Sequence, residues 1–200
     1  MSFDRQIDVG NSSVLIKQQL ESDVNGVIWD SALVTIHYLS KNAHLVKGKK
    51  VLELGSGTGA VSIVCGMMGA NAIATDLPAR LDLINKNNLL NKDKMAGNVE
   101  VEGLDWNDGY RKMDSVDLLI AVDCVYYMES VDPLIKTIKG VKANKTLIAY
   151  EKRDIGEPMD AQERFMKQIG DQFILEEVSK DELDEFACDD IHLFFLSHPS

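Results

Sequence analysis

The chain has 200 residues and a mass of 22.2 kDa, with 45% hydrophobic and 26% charged residues. This size and composition predict one globular domain and exclude a disordered, collagen-like or low-complexity chain. The net charge is −11, and residues 151–200 hold 14 acidic against 5 basic side chains. Such a surface disfavours nucleic acid, which binds cationic surfaces, and suits a basic protein partner.

The sequence shows no sign of a membrane or secretory segment. No apolar run approaches the roughly 20 residues of a membrane span, and the first five residues lack the apolar core of a signal peptide. Three widely spaced cysteines, Cys65, Cys124 and Cys188, indicate neither a disulfide framework nor a metal site. We therefore expect a monomer in the cytoplasm, or in the cytoplasm and nucleus.

The first 45 residues predict a hairpin and a helix. Short β-prone stretches at 5–9 and 13–17 flank Gly10, a residue typical of tight turns. An amphipathic helix follows, with Leu33, Ile36 and Leu39 on one side. We expect this part, residues 1–45, to be an extension of the core of a single domain.

From residue 46 onward, strands and helices alternate. Val116–Val122 is a nearly continuous apolar run, which is typical of a central parallel strand covered on both faces. The alternation predicts an α/β fold, a Rossmann-like doubly wound sheet over 46–200. The last two strands lack a clear intervening helix and predict an antiparallel hairpin at one edge. The predicted strands are 50–54, 71–76, 99–101, 116–122, 146–150, 172–178 and 191–197, and the predicted helices are 58–68, one opened by Pro78, 131–141 and 159–170.

A glycine-rich string, Glu53-Leu-Gly-Ser-Gly-Thr-Gly59, ends the first core strand and opens a helix. Glycines let the backbone turn sharply and approach a ligand, and a helix N-terminus offers free N–H groups. The string fits a dinucleotide, through a Gly-x-Gly-x-x-Ala pattern that ends at Ala60, and it also fits S-adenosylmethionine (SAM). Asp76, at the end of the next strand, would accept hydrogen bonds from the ribose of either ligand.

Three features favour SAM. Glu53 precedes the first glycine, where it could accept a hydrogen bond from the amino-acid end of SAM but would repel a pyrophosphate. Asp105 and Trp106, after the third strand, offer an acceptor for the adenine amino group and a flat face for its ring. The chain is also short for the separate substrate domain that most dinucleotide dehydrogenases carry. A SAM-dependent methyltransferase is therefore favoured over a dehydrogenase.

The glycine string followed by Asp123-Cys-Val-Tyr126 resembles the seven-β-strand methyltransferases that modify lysine in non-histone proteins. The Asp-x-x-Tyr signature and Val27-Ile-Trp-Asp30 are specific to fewer proteins than the glycine string, which is shared by the whole superfamily. The resemblance covers nearly the whole chain. Within the family, it is greatest to the enzymes that act on valosin-containing protein, an AAA+ ATPase chaperone. The resemblance implies a seven-stranded SAM-dependent methyltransferase sheet, SAM as the cofactor, no metal, and a lysine of such a chaperone as the substrate.

Carried over by position, the resemblance also implies the site residues. Asp123 would hold the target ammonium, and Tyr126 would bound the lysine channel. Glu151 either lines the pocket or pairs with Arg153, and the sequence leaves both open. The residues implied for the SAM pocket are Trp29, Gly55, Ser56, Gly57, Asp76, Trp106 and Ala121, beside the Glu53 and Asp105 assigned above.

Other functions remain as alternatives. A methyltransferase of a small molecule, or of another protein such as a translation factor, would use the same sheet. Base-modifying enzymes commonly place an Asn/Asp-Pro-Pro-aromatic run after the fourth strand, and the run from Asp123 to Tyr126 lacks the prolines. A non-catalytic subunit with a SAM fold is the third alternative, against which the retained acidic site residues argue. The acidic segment 176–190 matches no motif.

Overall fold

A computed structural model describes residues 2–20, 26–109, 115–185 and 187–197. Within these residues no helix is long and apolar enough to cross a membrane. The strands are β1 Ser2–Val9, β2 Ser12–Gln19, β3 Lys50–Leu54, β4 Asn71–Asp76, β5 Asn98–Gly103, β6 Val116–Val122, β7 Ala143–Glu151, β8 Ile174–Glu177 and β9 Ile191–Ser197. The α-helices are α1 Asp30–Lys41, α2 Ala60–Met67, α3 Leu81–Leu90, α4 Met128–Gly140 and α5 Gly156–Gly170.

Seven of these strands form one sheet in the order β5-β4-β3-β6-β7-β9-β8. The five strands from β3 to β7 pair in parallel, whereas β9 is antiparallel to both β7 and β8. The predicted Rossmann-like sheet with an antiparallel hairpin at its edge is therefore confirmed. The hairpin inserts its second strand, β9, beside β7, so β8 forms the outer edge.

Both faces of the sheet are covered, as the apolar run of β6 predicts. Leu118 and Ile120 pack into a core cluster with α1, α2 and α3, and Leu119 packs into a second cluster with α4 and α5. All three side chains are buried. Because successive side chains of a strand point to opposite faces, a continuous apolar run is needed wherever both faces are covered.

The N-terminal hairpin is a separate two-stranded sheet that packs against α3. Val14 and Ile16 of β2 are buried in the first core cluster. Asn87 and Asn91 bind the backbone of β2 through pairs of amide hydrogen bonds of 2.8–3.0 Å. The hairpin therefore contributes side chains to the main core.

The four predicted helix starts after residue 46 all differ from the structure by two or three residues, and α4 and α5 each begin three residues earlier than predicted. Pro78 opens a short 3-10 helix, Pro78–Arg80, and the α-helix begins only at Leu81. The helix predicted from Thr58 begins at Ala60, because Gly59 is held in the left-handed conformation with a φ of 80°. A residue in that conformation lies outside a right-handed helix, so α2 begins two residues later than predicted and the loop includes Gly59.

Candidate active site

Most of the predicted site residues lie at or just after the carboxyl ends of β3, β4, β5 and β6, four strands that are adjacent in the sheet, whereas Trp29 directly precedes α1. From β3 the chain moves outward to β4 and β5, and it then returns to place β6 on the other side of β3. In open α/β sheets, ligands bind at this reversal, outside the carboxyl ends of the strands. The glycine loop after β3 and Asp123 after β6 flank that point.

The glycine loop allows a close approach that a side chain would block. Gly55 has a φ of 63°, and a Cβ there would lie 2.9 Å from Cys124 Sγ and 3.2 Å from the ring of Trp106. Cβ contacts below 3.0 Å essentially never occur in folded proteins, so a side chain at this position would displace a neighbour. Gly55 therefore brings the loop, Trp106 and the segment after β6 into direct contact.

Asp76 anchors the same loop from β4. Its two carboxylate oxygens accept hydrogen bonds from the backbone N–H groups of Gly57 and Leu77, each at 2.8 Å. Burial raises the pKa of Asp76, while these two bonds lower it. Each oxygen keeps a further lone pair, so the carboxylate fits the predicted role of accepting hydrogen bonds from ribose hydroxyls.

A cleft of about 670 Å³ opens beside the glycine loop. This volume is within the range of about 300–1,000 Å³ that small-molecule sites occupy, so the cleft is large enough for SAM. A second, smaller cavity shares Gly55 and Asp123 with it and is lined by Trp29, Glu53, Ser56 and Gly57. The predicted site residues that line the large cleft are Gly55, Asp76, Asp105, Trp106, Asp123 and Tyr126.

Glu53 lies at the base of this site and is almost completely buried. One carboxylate oxygen accepts hydrogen bonds from the backbone N–H (3.0 Å) and the hydroxyl (2.5 Å) of Ser62 in α2. Burial raises the pKa of Glu53 to about 7, although the hydrogen bonds lower it. Glu53 thus holds the first turn of α2 while bordering the cavity where the amino-acid end of SAM is predicted to bind.

Asp123 is oriented by two donors from distant parts of the chain. The hydroxyl of Ser31, in the first turn of α1, donates a hydrogen bond to Oδ2, and the N–H of Glu151 donates to Oδ1 at 3.0 Å. Burial raises the pKa of Asp123, whereas these bonds and the charge of Arg153 lower it. Ser31 is not among the site residues predicted from the sequence, where its local signal is its position two residues after Trp29.

Tyr126 lies beside Trp29 and Arg153 at the mouth of the cleft. The two aromatic rings are 6.1 Å apart between centroids, and the guanidinium of Arg153 lies over both. Burial, and then the charge of Asp123, raise the pKa of Tyr126 and keep its hydroxyl protonated. Of the two roles left open for Glu151, the structure has the ion pair with Arg153, at 3.1 Å.

Two predicted cofactor residues lie differently from the others. Ala121 is buried in β6 and lines a small internal cavity with Leu134 and Phe165, on the α4 and α5 side of the sheet. Its side chain is therefore not part of the cleft wall. Asp105 lines the cleft, but one of its oxygens is already engaged by the backbone and side-chain amides of Asn107, both at 2.9 Å.

Comparison with known proteins identifies relatives across most of the chain. A family profile described as lysine methyltransferase matches residues 9–172. The chain is 31% identical to protein N-lysine methyltransferase METTL21A of Danio rerio, over 86% of this chain and 76% of that protein. It is 32% identical to protein-lysine methyltransferase METTL21E of Mus musculus, over 76% and 64% of the two chains. It is 33% identical to EEF1A lysine methyltransferase 3 of Xenopus tropicalis, over 60% and 54%.

Solved structures share the fold at much lower identity. The 16S rRNA N2 G1207 methyltransferase RsmC of T. thermophilus aligns over 100% of this chain and 51% of its own, with a TM-score of 0.68 and 12% identity. The ribosomal protein L11 methylase of Lactobacillus delbrueckii subsp. bulgaricus aligns over 98% of both chains, with a TM-score of 0.62 and 13% identity. These similarities support the fold of a SAM-dependent methyltransferase. They do not identify the substrate, which must be inferred from the residues of the site.

Proposed function

The chain belongs to the lysine methyltransferase family, and from this premise we propose that its substrate is an AAA+ ATPase chaperone of the valosin-containing protein type. The enzyme is a SAM-dependent protein-lysine N-methyltransferase. The choice of chaperone is supported by the Asp123-Cys-Val-Tyr126 and Val27-Ile-Trp-Asp30 motifs. The observation that carries the proposed chemistry is the position of Asp123, a buried carboxylate fixed by two donors in the wall of the cleft that Gly55 also lines.

SAM supplies an electrophilic methyl group on a sulfonium. The target lysine must react as the neutral amine, although a free lysine has a pKa of about 10.4. In the proposed mechanism Asp123 binds the incoming ammonium and orients it, and the ammonium releases one proton to water. The nitrogen lone pair then forms the N–C bond while the C–S bond breaks, and the sulfur keeps the electron pair. Positioning the two reactants in line supplies most of the rate enhancement.

The aromatic side chains at the mouth fit a lysine channel. Trp29 and Tyr126 lie close enough to contact the same aliphatic side chain, and aromatic faces attract methylated ammonium groups. The Tyr126 hydroxyl is buried, and within the described residues its polar neighbour is the Arg153 guanidinium, without a hydrogen bond of good geometry. An amine in the channel would give that hydroxyl a well-aligned hydrogen bond, which supports the proposed place of the substrate.

A translation factor is the second candidate substrate. The observation that favours it is the 33% identity to an EEF1A lysine methyltransferase of Xenopus tropicalis. A factor of the EEF1A type would present its lysine to the same cleft, since both candidates need the same amine chemistry. The choice between them therefore depends on surfaces outside the cleft and requires a direct experiment.

The test uses radiolabelled SAM and a lysate of cells depleted of this enzyme. We expect the wild type to label a nuclease-resistant protein that is identified as an AAA+ ATPase chaperone, and purified chaperone to be labelled in turn. Asp123→Ala should still bind SAM but should transfer less than about 1% of the label, since losses of 10²-fold or more are usual for such groups. Asp132→Ala, an exposed aspartate of α4 paired with Arg164, is the control and should label normally.

Each other outcome contradicts a defined part of the proposal. Labelling of EEF1A instead of the chaperone would support the second candidate. Label that disappears with nuclease would contradict a protein substrate altogether. Loss of SAM binding in Asp123→Ala would assign Asp123 to cofactor support.

A further inference from the structure

Arg153 is an internal cation held against the proposed lysine channel. Its guanidinium carbon lies 5.4 Å from the ring centroid of Trp29 and 5.9 Å from that of Tyr126. Its side chain is 24% exposed and pairs with Glu151 at 3.1 Å. Its backbone N–H donates to Gln162 of α5 at 2.9 Å. The guanidinium is therefore fixed from several sides, next to the position proposed for the substrate amine.

A purely structural role does not account for the surroundings of the Arg153 guanidinium. Within the described part of the chain, its buried Nε and Nη2 atoms have no hydrogen bond of good geometry, and their polar neighbours are the Glu151 carboxylate and the Tyr126 hydroxyl. Buried donors are nearly always satisfied in folded proteins, and exceptions commonly mark functional sites. Arg153 is also close enough to Tyr126 to lower the pKa of that hydroxyl.

The charges around the channel explain what Arg153 does. Asp123 and Glu151 carry two negative charges when ionised, and both act on the guanidinium together with Tyr126. Two carboxylates without a cation would bind an ammonium strongly and keep it protonated. The amine must lose that proton before it can react, so a site with only carboxylates would hold the substrate in its unreactive form.

We propose that Arg153 offsets the two carboxylates so that the target lysine is bound without being locked in its protonated form. A guanidinium suits this role because it stays charged throughout the range in which lysine titrates. This inference rests on the proposed position of the amine beside Asp123. Arg153 acts through the electrostatic potential at the amine and takes up no proton or methyl group itself.

The first test is the pH dependence of methyl transfer to the protein that the lysate experiment identifies. Arg153→Met keeps the length and the packing on the two rings but removes the charge. We expect its kcat at pH 7.5 to fall about tenfold and to recover as the pH rises, because the midpoint of the profile moves up by about one pH unit. Glu151→Gln should move the midpoint to lower pH, and Arg153→Lys should keep it close to that of the wild type. Arg164→Met, whose ion pair lies on the surface of α5, is the matched control.

A second test needs no protein substrate, so it separates this inference from the proposed function. The probe is n-butylammonium, which mimics a lysine side chain, titrated into enzyme saturated with S-adenosylhomocysteine. We expect Arg153→Met to bind it several-fold more tightly than the wild type and Glu151→Gln to bind it more weakly. Unchanged or weaker binding by Arg153→Met would overturn the inference, as would a loss of kcat that is the same at every pH. Failure of the wild type to label any protein would overturn the proposed function and leave the binding test valid.

Discussion

The conformation of Asp123 is unusual for a residue other than glycine. Its φ is 49°, in the left-handed region, yet its backbone N–H still donates to Ala149 at 2.9 Å in β7. Aspartate tolerates this region better than larger side chains do, and strained backbone of this kind is concentrated at functional sites. The turn directs the carboxylate of Asp123 towards Ser31 and away from the strand that precedes it.

The bond from Ser31 predicts a pH-dependent loss of activity. Ser31→Ala removes a donor that lowers the pKa of Asp123, so the pKa rises further and the ionised form is reached only at higher pH. We expect kcat/KM to fall more at pH 6 than at pH 8, and by at most about tenfold, since a hydrogen bond to a charged group shifts a pKa by about one unit. Ser40→Ala is the control, because Ser40 lies on the same helix and its hydroxyl donates to the carbonyl of Ile36 within that helix. Equal losses at both pH values would contradict this role for Ser31.

At the level of secondary-structure elements, side chains of α3 form the hydrogen bonds to the hairpin that a neighbouring strand would otherwise form. Asn87 accepts from the N–H of Lys17 at 2.8 Å and donates to its carbonyl at 3.0 Å, as a neighbouring strand would. The same amide donates to the carbonyl of Thr58 at 2.9 Å. Since Thr58 is part of the glycine loop, Asn87 connects the hairpin directly to the cofactor site.

Asn87→Ala therefore should destabilise both the fold and the loop. It removes the partner of two partly buried backbone groups of β2 and of one buried carbonyl of the loop, so we expect the free energy of unfolding to fall by about 2 kcal/mol. The SAM dissociation constant should rise as well. Chemical denaturation and SAM titration measure the two effects. Asn85→Ala changes an exposed asparagine of the same helix and should stay within about 0.5 kcal/mol of the wild type. Equal stability of the two variants would contradict a stabilising role of the hydrogen bonds from Asn87 to β2 and the glycine loop.

The acidic segment 176–190, which matched no motif, is attached to α1. Asp184 pairs with Lys41 and also with His37, the latter at 3.2 Å. Val178 and Leu183 are buried in the first core cluster. Part of the acidic charge therefore stabilises the packing of this segment against the helix that carries Ser31. Residue 186 lies outside the described residues.

For the molecule as a whole, the net charge of −11 predicts long-range electrostatic attraction of a basic substrate. Long-range attraction raises the rate of encounter and is screened by salt, with a Debye length of about 10 Å at 0.1 M. We expect kcat/KM for the protein substrate to fall several-fold between about 50 and 300 mM NaCl. The SAM dissociation constant, measured in the same buffers, separates substrate encounter from cofactor binding. A kcat/KM that is independent of salt would contradict electrostatic attraction of the substrate.

The features of this protein that depend on local patterns could be predicted from the amino-acid sequence alone. Strand and helix alternation, the apolar run of β6, and the glycine loop with Asp76 and Asp123 all carry periodic or motif signals, because each reflects a requirement of its own segment. Monomeric state, cellular location and the assigned roles of the site residues stay predictions.

Contacts between distant segments could be identified only from the folded chain. Ser31 binds Asp123 across 92 residues of sequence, and Asn87 binds Lys17 across 70. Three connecting segments meet in the same way where Arg153 contacts the rings of Trp29 and Tyr126. A hydrogen bond or ring contact between remote segments imposes no periodicity and no spacing on either one. Such contacts follow only from the order of strands in the sheet and the packing of helices on its faces.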